Sequence, residues 1–185
     1  MKKNLSKNEI LRLLESINDE LAQKEIYGEI LLVGGAALSL VHNARDSTYD
    51  IDGIFEPKNE ISDIAQQLSL KHDLEADWLN DAAKGFISPQ MEKRVYKEYS
   101  NLTILAVEAK PLLAMKLISA RQGSSDMRDA LFLMKQIPIK TEAELFDIIS
   151  RYTNPHHQTA KAHFFTKEVF AAYQKEKERI EERER

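Results

Sequence analysis

The sequence predicts an α+β protein: a mixed β-sheet packed with helices, followed by a C-terminal helical region. Three observations carry this. Short apolar runs at 29–33 and 50–55 alternate with segments of helical period, as sheet-plus-helix layers require. Two alternating stretches, 94–99 and 101–107, meet at Ser100-Asn101 and predict a hairpin that completes the sheet. Beyond residue 110 only helical periodicity remains. With 185 residues, the chain suits a sheet-bearing domain over 1–109 and a helical region over 110–185.

The elements follow in order. Ser6 with Glu9 three residues on is a capping-box pattern, and Ile10, Leu13, Leu14, Ile17 and Leu21 recur at helical spacing behind it. Tyr27-Gly28 leads into the first strand at 29–33. Gly34-Gly35 opens a compact helical segment through Leu40, because glycine permits tight backbone geometry and close approach. The polar link 42–49 carries Arg45, Ser47 and Thr48. Asp50-Ile51-Asp52 then begins a second apolar run, with Gly53 as a point of close approach or a bulge. Pro57 ends that strand, and apolar residues at 61, 64, 65 and 68 predict a second amphipathic helix. Residues 74–78 suggest a short extended piece, with a turn or short helix to Phe86 and Trp78 in the core.

Pro111 suits the first turn of the next helix. That helix carries Leu112, Leu113, Met115, Leu117 and Ile118 and is apolar nearly all round, so Lys116 stands out. A buried lysine needs a route to water or a negative partner. Asp126 and Asp129 open another helix, where carboxylates suit the N-terminal dipole. From 110 to 140 there are six Lys/Arg against two Asp, a local charge of +4. Two helices end the chain, at 142–152 and from about 159, separated by Pro155. The histidines at 156, 157 and 163 lack the cysteine or carboxylate spacing of a zinc site.

The chemistry centres on Gly34-Gly35 and Asp50-Ile51-Asp52, fourteen residues apart. In a strand, residues i and i+2 face the same way, so the two carboxylates project together. A divalent cation between them relieves their repulsion, and hard cations take carboxylate oxygens. The unpaired N–H groups after the glycine pair suit a phosphate, or the pair is a plain strand-to-helix turn.

This pattern resembles the nucleotidyltransferase superfamily, in which a glycine pair opens a helix and an acidic-x-acidic pair follows on the next strand. The stretches 77–86, 112–121 and 126–131 extend the resemblance to small bacterial nucleotidyltransferase-like proteins of the AbiEii and DUF6036 kind. The resemblance covers roughly residues 29–136. It implies a nucleotidyltransferase-like fold in which Asp50 and Asp52 hold Mg²⁺ (or Mn²⁺) with an NTP substrate. Gly34, Gly35, Arg45, Ser47, Lys116 and Arg121 are then the expected nucleotide-binding residues, with Asp50 and Asp52 on one wall of a cleft and Lys116 on the other. A third catalytic carboxylate is expected at Asp77, with Asp81 as the substitute and Glu98 and Glu108 further options. Asp126 would orient Lys116 or Arg121. The acceptor implied is a hydroxyl on RNA, protein or a small molecule, and the toxin branch suggests a toxin–antitoxin or phage-defence pair. The alternative is a degenerate module that binds nucleotide or a partner without chemistry, such as an antitoxin.

The totals are compatible with this. Hydrophobic residues make up 43% of the chain, enough for a packed core. A net charge of −4 gives no global attraction to nucleic acid or membrane surfaces. With no cysteine, thiolate chemistry and disulfides are excluded. No apolar run spans a bilayer and no signal-peptide pattern follows Lys2-Lys3, so a cytoplasmic protein is expected.

Overall fold

The computed structural model describes residues 4–86, 88, 90–120 and 125–183. They fall into two compact units, one within residues 1–85 and 92–107, the other within 86–91 and 108–185.

The first unit opens with β1 (Leu5–Ser6) and α1 (Lys7–Gln23). The capping box forms as the sequence predicts: Ser6 Oγ accepts from the Glu9 N–H at 3.3 Å, and Glu9 Oε2 accepts from the Ser6 N–H at 3.0 Å. The apolar face of α1 is fully buried at Ile10, Leu14, Ile17 and Leu21. Then come β2 (Gly28–Leu32), α2 (Gly34–Leu40), β3 (Ser47–Thr48), β4 (Ile51–Glu56) and α3 (Lys58–His72). After β5 (Leu79–Asn80), the hairpin β6 (Lys93–Glu98) and β7 (Leu102–Val107) completes the unit.

Five of these strands build a mixed sheet in the order β5-β4-β2-β7-β6. β2 lies at its centre, antiparallel to β4 and parallel to β7. Its successive residues Ile30, Leu31 and Leu32 are all buried, so both faces of the sheet are covered there, and the strand is a continuous apolar run rather than an alternating one. β1 and β3 pair separately, with Leu5 opposite Thr48 and Ser6 opposite Ser47. The predicted hairpin closes with the Tyr99 N–H donating to the Leu102 carbonyl. Gly53 sits in regular register opposite Leu32. A Cβ there would meet the Leu31 carbonyl oxygen at 3.0 Å, so this glycine serves strand-to-strand approach and is not a bulge.

Residues 74–78 are not the expected extended piece: the chain turns at 76–78, and the strand is β5, just after them. α3 ends at Asp73 in the left-handed conformation. Trp78 is 1% exposed, and its Nε1–H donates to the Ala65 carbonyl at 2.9 Å. The tryptophan is therefore an anchor on α3, and the chain becomes extended only beyond it. It packs in the core, as its aliphatic neighbours predict.

The second unit is helical: α4 (Ala109–Ser119), α5 (Asp126–Gln136), α6 (Glu142–Tyr152) and α7 (Ala160–Arg183). Pro111 lies in the first turn of α4, where its missing N–H costs nothing. Thr141 caps α6 by accepting from the Glu144 N–H at 3.3 Å. Among the described residues, no helix is long and apolar enough to cross a membrane.

Candidate functional site

The glycine pair is filled by side chains of its own unit. Gly34 has φ +53°, and a Cβ on it would lie 2.7 Å from Asp52 Oδ2. Only glycine tolerates both the left-handed backbone and that contact. A Cβ on Gly35 would collide with Thr48 Oγ1, and would sit 3.2 Å from Thr48 Cβ and 3.5 Å from Arg45 Nη1. A carboxylate, a hydroxyl and a guanidinium thus converge on two consecutive glycines. α2 itself is seven residues long, so its dipole is short. What the glycines demonstrably provide is room for Asp52 and Thr48 against the backbone.

Asp52 lies in β4 and is half-exposed, whereas its neighbours Ile51 and Gly53 are buried. Asp50 is also half-exposed but occupies the bend before β4, which begins at Ile51. Strand alternation therefore governs Asp52 but not Asp50. The strand is held there from both sides: the Val33 N–H donates to the Asp52 carbonyl at 3.0 Å, and the Ile51 N–H to the Trp78 carbonyl at 2.6 Å.

Ser47 and Thr48 are successive in β3, so their side chains point to opposite faces. Thr48, 5% exposed, is the one against Gly35. The sequence offers two hydroxyls in this link, and the family resemblance points to Ser47. The choice depends on the pairing of β3 with β1, a contact between residues more than forty positions apart.

The expected third carboxylates occupy different surroundings. Asp77 is exposed in the turn before β5. Asp81 follows β5 and accepts from Lys58 Nζ at 2.5 Å. That hydrogen bond, together with the positive charge of Lys58, holds the Asp81 carboxyl below its ordinary value of 3.8. The pair's stabilisation is thus present above that value and is lost as pH falls through the lowered one. Glu98 ends the exposed edge strand β6, and Glu108 is the N-cap position of α4. Among the described residues, no group of three or more His, Cys, Asp or Glu is disposed to hold a metal ion.

Lys116 belongs to the second unit and is 7% exposed. Its Nζ lies 2.8 Å from Asp126 Oδ1 and 3.0 Å from Asp129 Oδ2. Ser119 Oγ donates to Asp126 Oδ2 at 2.8 Å. The two aspartates that open α5 are themselves 1% and 2% exposed. A lysine inside an apolar helix is thus compensated by two buried carboxylates from the next helix. Arg121 lies outside the described residues.

Residues 8–179 match the family described as a nucleotidyltransferase of unknown function (DUF6036). The chain belongs to this family. Among solved structures, it is similar to an antigenic nucleotidyltransferase-like protein from Paracoccidioides brasiliensis. That likeness has a TM-score of 0.51 at 14% identity and covers 94% of this chain and 92% of the other. At that identity it speaks for the fold, and the nucleotidyltransferase-like arrangement of a mixed sheet with helices is what the two share. No curated protein matches the chain.

Proposed function

We propose that the chain is a metal-dependent nucleotidyltransferase that moves a nucleotidyl group from an NTP to a hydroxyl acceptor. The observation that carries this reading is the Asp52 carboxylate seated on Gly34, with Thr48 and Arg45 on Gly35 and Asp50 one bend away. The donor set fits a hard divalent cation. Mg²⁺ is commonly held by one or two carboxylates, with phosphate oxygens and water completing its shell. Asp50 and Asp52 would hold Mg²⁺ or Mn²⁺, which when bound neutralises charge on the phosphates and on the leaving pyrophosphate. Gly34 fixes where the Asp52 carboxylate lies. Arg45 offers a fork of donors to phosphate oxygens, and Thr48 braces the backbone at Gly35. Asp77, exposed in the turn before β5, is the proposed acceptor of the proton from the attacking hydroxyl. In this reading the protein is cytoplasmic and bacterial, and the acceptor is RNA, a protein or a small molecule. A place in a toxin–antitoxin or phage-defence pair rests on the resemblance to the toxin branch.

A second reading is favoured by a specific observation. No third acidic or histidine side chain groups with the aspartate pair among the described residues, and Asp81 is occupied by Lys58. On that reading the fold binds nucleotide, or a protein partner, without transferring anything.

Calorimetry with each of the four NTPs, with and without Mg²⁺, tests both readings. Metal-dependent binding that disappears in a folded Asp50→Ala/Asp52→Ala variant supports the assigned site. Release of pyrophosphate on adding cell RNA or protein then selects the transferase, and binding without release selects the module. Undiminished metal-dependent affinity in the double variant would sink the assignment.

A further inference from the structure

The strand beside Asp52 carries an amide, Asn80, at the position level with it. β5 runs parallel to β4, with Ile51 opposite Leu79 and Asp52 opposite Asn80. Residues opposite one another in adjacent strands share a sheet face, and the strands lie about 4.8 Å apart. Burial agrees with this: Ile51 and Leu79 are 0% and 6% exposed, whereas Asp52 and Asn80 are both half-exposed. Asn80 is therefore the residue of the neighbouring strand that stands level with Asp52 on its open face. Asp77 lies three positions earlier, in the turn, and Asp81 points its carboxylate at Lys58.

Both ends of the Asn80 amide are used locally. Its Oδ1 accepts from the Ala82 N–H at 3.0 Å, and its Nδ2–H donates to the Asp77 carbonyl at 3.2 Å. A neutral carboxamide braced in this way brings no negative charge to the Asp52 face. Two cations held side by side need more carboxylate charge than one, because their mutual repulsion must be offset.

We infer that Asn80 limits this site to a single divalent cation, the one shared by Asp50, Asp52 and the nucleotide phosphates. The inference rests on the metal-dependent reading above. It makes the chain a one-cation nucleotide site whose capacity for a second ion depends on one side chain.

The test counts Mn²⁺ by electron paramagnetic resonance at saturating α,β-methylene nucleoside triphosphate, in wild type, Asn80→Asp and Asn80→Ala. Circular dichroism verifies folding. We expect one ion per chain in wild type and in Asn80→Ala. In Asn80→Asp we expect two, with the spin coupling of ions about 3.5–4 Å apart. Asn80→Asp keeps an acceptor for the Ala82 N–H and loses only the bond to the Asp77 carbonyl. Two ions in wild type would overturn the inference and leave the metal-dependent reading standing. One ion in folded Asn80→Asp would overturn it equally. No metal-dependent binding in wild type would remove the metal-dependent reading and the inference together. If Asn80→Asp does not fold, the wild-type count decides alone: one ion supports the inference and two overturn it.

Discussion

At Gly34 the backbone has φ +53°, and the space where a Cβ would stand is taken by Asp52 Oδ2. Gly34→Ala therefore meets two penalties, left-handed strain and a collision with a carboxylate. We expect a loss of about 1–3 kcal/mol in denaturant unfolding. We also expect metal-dependent NTP affinity at least tenfold weaker, because the displaced group is a proposed ligand. A variant that loses stability but keeps its affinity would show that Asp52 does not bind the cation. Lys116 makes a different residue-scale argument. Lys116→Met leaves Asp126 and Asp129 buried without their common counter-ion, and should cost about 3–5 kcal/mol. Lys116→Met/Asp126→Asn/Asp129→Asn removes the charge as well and should recover most of that loss. Thermal or urea unfolding of the two variants decides this. Equal losses in both would mean that the cluster acts through packing rather than charge.

The elements are stabilised by local signals wherever those are strong. α1 is fixed by its capping box, and Ser6→Ala should cost about 1 kcal/mol in urea unfolding. No measurable loss would mean that the Leu5–Thr48 pairing of β1 with β3 holds the helix start without the cap. β6 is an edge strand with mostly charged, exposed side chains and an irregular register between Val95 and Lys97. Both features discourage edge-to-edge association. β5 is the opposite case: two residues whose extended state depends on pairing with β4. No periodicity can show in a strand that short. Its position is set instead by Trp78, which ties the preceding turn to α3.

At the scale of the molecule, ligand binding and stability are linked. A ligand that binds only the folded state adds RT ln(1 + [L]/Kd), about 2.7 kcal/mol at a hundredfold excess over Kd. For a chain of this size that corresponds to roughly 5–10 °C in Tm. We expect this rise with Mg²⁺ and the preferred NTP together, and none with the NTP alone. If the two units unfold in separate steps, the shift should fall on the step that reports the sheet. A rise without a divalent cation would argue for a nucleotide site other than the aspartate pair.

The sequence by itself determined the helices, the central strand and the hairpin. These rest on periodicity and caps, which act within a few residues of one another. The buried tryptophan and the need of Lys116 for a negative partner were legible for the same reason. Only the tertiary structure decided that Thr48 rather than Ser47 meets the glycine pair. It also decided that Asp50 precedes β4, that Lys58 occupies Asp81, and that Asn80 stands level with Asp52. Each of these depends on strand register or on a helix terminus, where a shift of one residue moves a side chain to the other face. That shift leaves composition and spacing unchanged, so local pattern carries no trace of it.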